Sequence, residues 1–185
     1  MDTVVFVING NGGCGKDTFI EYCSKATKYS TRNVSTIEPI KLAALSLGWN
    51  GQKDEKNRKF LSDLKDLCTN AFDTSFNYIK EEIENANEDD IAYIFVHSRE
   101  PEEIERFKKE FNAITILIDA SKRKETIITN HADANVNDFK YDYYIENNGT
   151  LLEFENKAKE FIEYYDKEME NGTFDWTTTC GIYAW

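Results

Sequence analysis

The stretch GNGGCGKDT, residues 10–18, decides how the chain folds. Within it, Gly10 is followed by four residues and then by Gly15 and Lys16, with two further glycines between them. Glycine tolerates the backbone angles that turn successive N–H groups toward one point, where they can bind an anion. The next position, which normally carries Ser or Thr in such loops, holds Asp17, and a carboxylate beside an anion site needs an explanation.

The residues on either side predict a strand before this stretch and a helix after it. VVFVI, residues 4–8, is a continuous β-branched and aromatic run, typical of a strand buried on both faces of a parallel sheet. Apolar residues then recur at helical spacing at Phe19, Ile20, Cys23 and Ala26. A strand, a glycine loop and a helix in this order indicate a P-loop, which binds the phosphates of a nucleotide. The predicted nucleotide-binding residues are Gly10, Asn11, Gly12, Gly13, Cys14, Gly15, Lys16, Asp17 and Thr18.

Four more apolar runs predict four more strands, at residues 34–38, 91–96, 113–119 and 141–146. Helical patterns separate most of them, and alternating strands and helices predict an α/β fold with a doubly wound parallel sheet. Between the second and third strands, an apolar stripe over residues 60–72 predicts a long helix that continues through Phe76, Ile79 and Ile83.

Two helix starts can be predicted from their first residues. Pro101, followed by two glutamates, suits the first turn of a helix after the third strand. Thr150 and Glu153 form a capping-box pattern that opens the last helix. The apolar side chains expected to face inward from that last helix are Leu151, Phe154, Ala158, Phe161 and Tyr165.

Composition limits the classes of partner. With 185 residues, 41% of them hydrophobic, the chain can bury one core and has the usual size of a single domain. A net charge of −12 argues against binding to nucleic-acid polymers or anionic membranes, so a phosphate site must be a local basic patch. The four cysteines show no disulfide framework or zinc-ligand spacing, and residues 3–8 lack the features of a signal peptide. We therefore expect a cytoplasmic protein that binds a small molecule.

Several segments resemble a known family. GKDT resembles the loop of phage-type deoxynucleoside monophosphate kinases and of animal phosphomevalonate kinases, which also carry Gly-Lys-Asp, and adenylate kinases similarly place a threonine where Thr18 stands. EPIKLAALSLGW resembles the segment that meets the acceptor in monophosphate kinases, and FVHSREPEEI resembles the end of their third strand. YDYYIENNGTLLEF is similar to their last strand and helix, although dephospho-coenzyme A kinases end similarly. The resemblance covers most of residues 3–165.

The resemblance implies a P-loop kinase domain over residues 1–170 with a five-stranded parallel sheet. It also implies a helical, acceptor-binding insert at about residues 39–90 and a lid at about residues 120–140. The implied reaction is transfer of the γ-phosphoryl group of ATP, with Mg²⁺, to a nucleoside or deoxynucleoside monophosphate. Phosphomevalonate and dephospho-coenzyme A are alternative acceptors, and a nucleotide-binding regulatory protein without kinase turnover is a further alternative. The aromatic tail, residues 171–185, is expected to dock on the core or on a second subunit, which leaves a homodimer open.

Basic residues outside the loop are the candidate phosphate contacts. Arg99 follows the third strand at the carboxyl edge of the sheet, where a guanidinium suits bidentate binding of a phosphate, so we assign it to the acceptor and to catalysis. The resemblance places Lys41 at the acceptor, with a solvated lysine as the alternative. Arg58 could also reach the acceptor, although a surface arginine fits its position better. Arg123, at the start of the predicted lid, is a candidate for closing over the transferring phosphate or for a solvated basic turn.

The metal site is the point where the sequence departs from the family pattern. His97 occupies the end of the third strand, where many P-loop proteins carry an aspartate, and we interpret it as structural. Our hypothesis is that Asp17 supplies the missing carboxylate and holds a water ligand of magnesium, while Thr18 contacts phosphate; the alternative is that Asp17 only favours the start of the helix. The predicted catalytic set is Lys16, Asp17, Arg99 and Arg123.

Overall fold

The computed structural model describes residues 2–52, 54–123, 136, 139–172 and 183–184. Within these ranges the chain forms six strands and six helices. In chain order they are β1 (Val4–Asn9), α1 (Lys16–Ala26), β2 (Thr31–Ser35), α2 (Glu38–Ser46), α3 (Glu55–Phe72), α4 (Thr74–Glu88), β3 (Tyr93–His97), α5 (Pro101–Phe111), β4 (Ile114–Asp119), β5 (Tyr143–Glu146), α6 (Leu151–Asn171) and β6 (Tyr183–Ala184).

The strands form one sheet in the order β2-β3-β1-β4-β5-β6, and every neighbouring pair is parallel. This confirms the α/β class and the five predicted strands. β6 is an addition: two residues of the tail pair with Tyr143 and Tyr144 of β5. The carboxyl ends of β1, β3 and β4 meet at one edge of the sheet, because Ile8 pairs with both His97 and Ile116. That edge is where ligands bind in open α/β sheets.

The predicted position of the second strand was wrong. β2 spans Thr31–Ser35, and the predicted run at residues 34–38 covers its end and the first residue of α2. β2 lies at the edge of the sheet and is only partly buried, so most of its side chains are polar and do not form an apolar run. Pro39 belongs in the first turn of α2, where proline suits a helix.

Helices cover both faces of the sheet, and the core has a layer on each face. On one face α1 and α6 bring Phe19 and Phe161 against Phe6 of β1, with the rings of Phe6 and Phe161 5.1 Å apart. On the other face α4 and α5 stack Phe76 on Phe107 with ring centroids 5.6 Å apart. β1 is buried along its whole length because both layers pack on it. This central position fixes the loop that follows β1.

The predicted long helix is two helices, and its apolar stripe is largely exposed. The chain breaks at Asp73, which adopts φ 54°, and Arg106 holds this residue with an N–O distance of 2.6 Å. α3 packs mainly against α2 and α4, and part of its stripe stays open. Leu67 and Phe72 are 66% and 75% exposed. An amphipathic pattern indicates a helix here, but it does not show whether the apolar side is covered.

The two predicted helix starts are confirmed. α5 begins at Pro101, and Thr150 forms a capping box with Glu153 at the start of α6. Of the side chains predicted to face inward from α6, four are buried, whereas Leu151 is 59% exposed because it precedes the first turn that faces the core. None of the helices in the described ranges combines the length and apolarity that a membrane crossing needs.

Candidate active site

The loop between β1 and α1 is fixed by glycine conformations that other residues rarely adopt. Gly10, Gly13 and Gly15 have φ values of 142°, 77° and 102°. A Cβ atom on Gly10 would lie 2.5 Å from the backbone oxygen of Ile118, and one on Gly15 would lie 2.5 Å from Nδ2 of Asn147. The loop therefore follows a single path between β4 and the β5–α6 connection, and this path leads into the N-terminus of α1.

Lys16 is the first residue of α1, and its ammonium group folds back over the loop. Nζ donates to the backbone oxygens of Gly10 and Asn11 at 2.5 and 3.0 Å, and it lies 3.7 Å from Sγ of Cys14. Burial raises the pKa of the Cys14 thiol, and the charge of Lys16 opposes this effect. Cys14 therefore adds no negative charge beside the loop, and Lys16 is held where it can compensate a phosphate anion.

Two buried asparagines hold the loop in place, and the sequence analysis missed both. Asn147, at the end of β5, donates from Nδ2 to the backbone oxygen of Cys14 at 2.8 Å, and its own N–H donates to the oxygen of Asp119 at 2.7 Å. It is 2% exposed. An amide side chain directly after a strand, at the carboxyl edge of the sheet, is the signal that could have identified it, because a buried amide must find partners.

Asn9 joins three connections at the carboxyl edge of the sheet. Its Oδ1 accepts from the N–H of Gly10 at 2.7 Å, and its Nδ2 donates to the backbone oxygen of Arg99 at 3.3 Å and to the hydroxyl of Tyr141 at 2.7 Å. Tyr141 in turn donates to the backbone oxygen of Val136. The nucleotide loop, the connection after β3 and the segment before β5 are therefore tied to one fully buried side chain.

His97 lies at the carboxyl end of β3 and faces Asp17 in the first turn of α1. The distance from Nε2 of His97 to Oδ1 of Asp17 is 3.5 Å, and the two side chains are 16% and 90% exposed. Burial lowers the pKa of His97 to about 4; the carboxylate of Asp17 opposes this, whereas the charges of Lys16, Arg99 and Lys41 add to it. The imidazole is therefore neutral near pH 7.

Arg99 lies in a connection whose neighbours are firmly held. Ser98 is 1% exposed and donates from Oγ to Oε2 of Glu103 at 2.5 Å, and Nζ of Lys65 lies 3.2 Å from the same oxygen. Lys65 belongs to α3, so this partly buried ion pair also attaches α3 to α5. Nζ of Lys41, on α2, lies 3.4 Å from Oε1 of Glu38, and the side chain of Lys41 is 39% exposed.

The remaining predicted site residues are Thr18, Arg58 and Arg123, which lie on three different parts of the chain. Thr18 is partly buried in the first turn of α1, beside Asp17. Arg58 is exposed on α3, so its predicted contact with the acceptor stays a prediction. Arg123 lies in the turn after β4, where its N–H donates to the oxygen of Ala120 at 3.0 Å. Most of the predicted lid, residues 124–135 and 137–138, lies outside the described residues.

The residues at this edge of the sheet could help to bind a divalent cation that is already coordinated by a polyphosphate. Asp17 offers an exposed carboxylate beside the loop, and carboxylates and phosphate oxygens are the ligands that Mg²⁺ prefers. In the described part of the chain, no three His, Cys, Asp or Glu side chains cluster closely enough to hold a metal ion by themselves. Phosphate oxygens would have to complete the coordination of the cation.

The sheet order, the glycine loop and the helix that follows β1 define a P-loop fold of the kind found in small-molecule kinases. The structure is similar to that of a gluconokinase from Sinorhizobium meliloti, with a TM-score of 0.52 over 93% of this chain and 98% of that chain at 10% identity. It is also similar to a sugar kinase from Janibacter, with a TM-score of 0.50 over 87% of this chain and 95% of that chain at 10% identity. No protein-family model matches the sequence, and no curated protein matches it significantly.

Proposed function

We propose that the protein is an ATP-dependent kinase that transfers the γ-phosphoryl group to a nucleoside or deoxynucleoside monophosphate. The observation that carries this proposal is the position of Lys16, whose ammonium group is held over the glycine loop by the oxygens of Gly10 and Asn11, at the edge of the sheet where Arg99 follows β3. In a chain with a net charge of −12, local cations beside a glycine loop are the arrangement expected for phosphate-bearing ligands.

The side chains at this edge suit the chemistry of a phosphate acceptor. The acceptor oxygen of a monophosphate is largely deprotonated near neutral pH, because its second pKa is about 6. Transfer then needs orientation and charge compensation and no general base. Lys16 and the loop N–H groups would hold the phosphates of ATP, whereas Arg99 and Lys41 would orient the acceptor. When magnesium is bound, it neutralises charge on the phosphates, and Asp17 and Thr18 are the residues that would hold it.

The alternatives to a nucleotide kinase are a kinase for another small acceptor and a regulatory protein. A hydroxyl acceptor, such as the sugar acids and sugars suggested by the names of the two similar structures, would need a base, and Asp17 is the exposed carboxylate nearest the loop. Phosphomevalonate and dephospho-coenzyme A are further alternative acceptors. A regulatory protein would bind ATP and turn over none of these acceptors.

The test is a turnover screen of the purified protein with ATP and magnesium. The acceptors are the common nucleoside and deoxynucleoside monophosphates, phosphomevalonate, dephospho-coenzyme A and gluconate, and ADP formation is measured for each. We expect turnover with at least one monophosphate and none in the absence of acceptor. Turnover with gluconate alone would favour the hydroxyl acceptor, and ATP binding without any turnover would favour the regulatory protein.

Arg99 and Arg123 should differ kinetically, because we assign them to different phosphates. Arg99 lies two residues after His97, at the carboxyl end of β3 that we assign to the acceptor, so Arg99→Ala should raise the KM of the acceptor about tenfold or more, with a smaller change in the KM of ATP. Arg123 lies at the start of the predicted lid, so Arg123→Ala should mainly lower kcat. Steady-state kinetics of both variants test this assignment, and the same kinetic profile for both would contradict it.

Asp17→Asn should weaken the response to magnesium. Asparagine keeps the shape of the side chain but removes the charge that attracts the cation, so half-maximal activity should need about tenfold more magnesium, and kcat should fall. Binding of ATP without metal should change little. Glu21→Gln is the matched control, since Glu21 is an exposed acid one turn further along the same helix. If Asp17→Asn titrates with magnesium as the parent protein does, the carboxylate serves only the start of the helix.

A further inference from the structure

His97 has a ring nitrogen that the proposed reaction does not use. Nε2 of this residue is buried and has no hydrogen-bond partner among the described residues. A buried nitrogen without a partner is costly, and most such atoms in folded proteins have a protein group or a bound ligand beside them. In a neutral imidazole one ring nitrogen carries a lone pair that can bind a cation.

The geometry of His97 and Asp17 fits two ligands of one cation. Nε2 and Oδ1 lie 3.5 Å apart, which is longer than a good hydrogen bond between these atoms. Two ligands at about 2.1 Å from a shared divalent metal are separated by about 3.0–3.4 Å, for octahedral or tetrahedral angles. A small rotation of the exposed Asp17 side chain would close the remaining gap, whereas His97 is already held by its burial.

The charges around the pair determine when a cation could bind there. Lys16, whose ammonium group is held over the loop, and Arg99, two residues after His97, carry charges that would repel a free metal ion. A metal that arrives with the phosphates of a nucleotide brings the negative charge that cancels this repulsion. His97 and Asp17 would then join Thr18 at the cation, and phosphate oxygens and water would complete the coordination, as is usual for nucleotide-bound divalent ions.

We infer that His97 Nε2 and Asp17 Oδ1 together bind the divalent cation of the nucleotide, and that this mixed nitrogen and oxygen site favours Mn²⁺ or a later transition metal over Mg²⁺. The inference rests on the proposed function, since it requires that the loop bind a metal–nucleotide complex. Imidazole suits transition metals better than it suits Mg²⁺, and affinity for nitrogen-containing sites rises from Mn²⁺ along the first-row series.

The nitrogen ligand can be detected directly by pulsed electron paramagnetic resonance of the protein with Mn²⁺ and ADP, which requires no turnover. The chain contains two histidines, His97 and His131, so labelling histidine alone with ¹⁵N separates their nitrogens from those of adenine and lysine. We expect a nitrogen coupling to Mn²⁺ that changes from the ¹⁴N to the ¹⁵N pattern in the labelled protein. It should disappear in His97→Gln and persist in the matched control His131→Gln.

Binding constants provide a second readout. His97→Gln offers an amide oxygen near the position of Nε2, so it should keep binding of ADP with Mg²⁺ while reducing the preference for Mn²⁺ about tenfold or more. Calorimetric titration of Mn²⁺ and Mg²⁺ into the ADP complex measures this ratio. If His97→Gln fails to fold, the ¹⁵N-histidine spectrum of the parent protein still decides whether histidine is a ligand.

The outcomes separate this inference from the proposed function. Tight binding of Mn²⁺ with ADP but no histidine coupling would overturn the inference and leave the kinase proposal standing. A coupling that follows His131 in place of His97 would also overturn it. Failure of the protein to bind ADP with either metal would contradict the proposed function and the inference together.

Discussion

Lys16→Ala is expected to abolish phosphoryl transfer, with kcat lower by about a thousandfold or more. The ammonium group is held above the loop by the backbone oxygens of Gly10 and Asn11, and in the proposed reaction it compensates charge on the transferring phosphoryl group. Alanine removes this charge. The side chain is only partly buried and lies outside the core, so we expect the fold to survive the change.

The matched control for this variant is Lys25→Ala. Lys25 lies on the same helix, α1, and pairs with Glu21 on the exposed surface at 2.5 Å, so its loss should leave kcat within about twofold of the parent value. Circular dichroism and thermal melting of both variants check the fold, and ADP formation measures the activity. If Lys16→Ala retains kcat within tenfold of the parent, residues 10–18 do not form a catalytic loop.

Gly10→Ala should destabilise the whole domain by about 3 kcal/mol or more. Gly10 adopts φ 142°, which alanine rarely takes, and the new Cβ would lie 2.5 Å from the backbone oxygen of Ile118 in β4. The clash is with a central strand that cannot move without disturbing the sheet. Sγ of Cys14, 2.6 Å from the same Cβ, would also have to shift. The urea midpoint of unfolding should fall accordingly.

Gly48→Ala separates the two causes of this loss. Gly48 has φ 96°, but a Cβ there would have nothing within 4 Å, so the variant measures the strain of the backbone conformation without a clash. We expect a cost of about 1 kcal/mol for this control. If Gly10→Ala costs no more than Gly48→Ala, as measured by urea unfolding, the close approach of the loop to β4 does not limit stability.

Local patterns were sufficient to predict most of the fold. The buried runs of β1, β3 and β4 are continuous and apolar because these strands are covered on both faces, and their positions were predicted within two residues. The start of α5 at Pro101 and the capping box of α6 depend on residues within one helical turn, and these residues are adjacent in the sequence. Features of this kind need no knowledge of distant residues.

The features that could not be predicted depend on contacts between distant parts of the chain. At the break between α3 and α4, Asp73 is bound by Arg106, which lies over the ring of Phe76 at 3.3 Å. The pairing of Asp17 with His97 follows from the parallel register of β1 and β3, although each residue was noted separately. The hydrogen bond between Asn9 and Tyr141 joins residues that are 132 positions apart.

The strand order has a consequence for how the protein reaches its native state during synthesis. β1 is made before the other strands of the sheet and lies inside it, yet its partners follow much later, since Val4 pairs with Tyr93 and Asn9 pairs with Leu117. Until β3 leaves the ribosome, the apolar run VVFVI has no neighbouring strand, and one of its edges stays unpaired until β4 follows; such exposed segments favour aggregation. Contacts this far apart in sequence also slow folding, so we expect this protein to depend on chaperones or slow translation in the interval before β4 is complete.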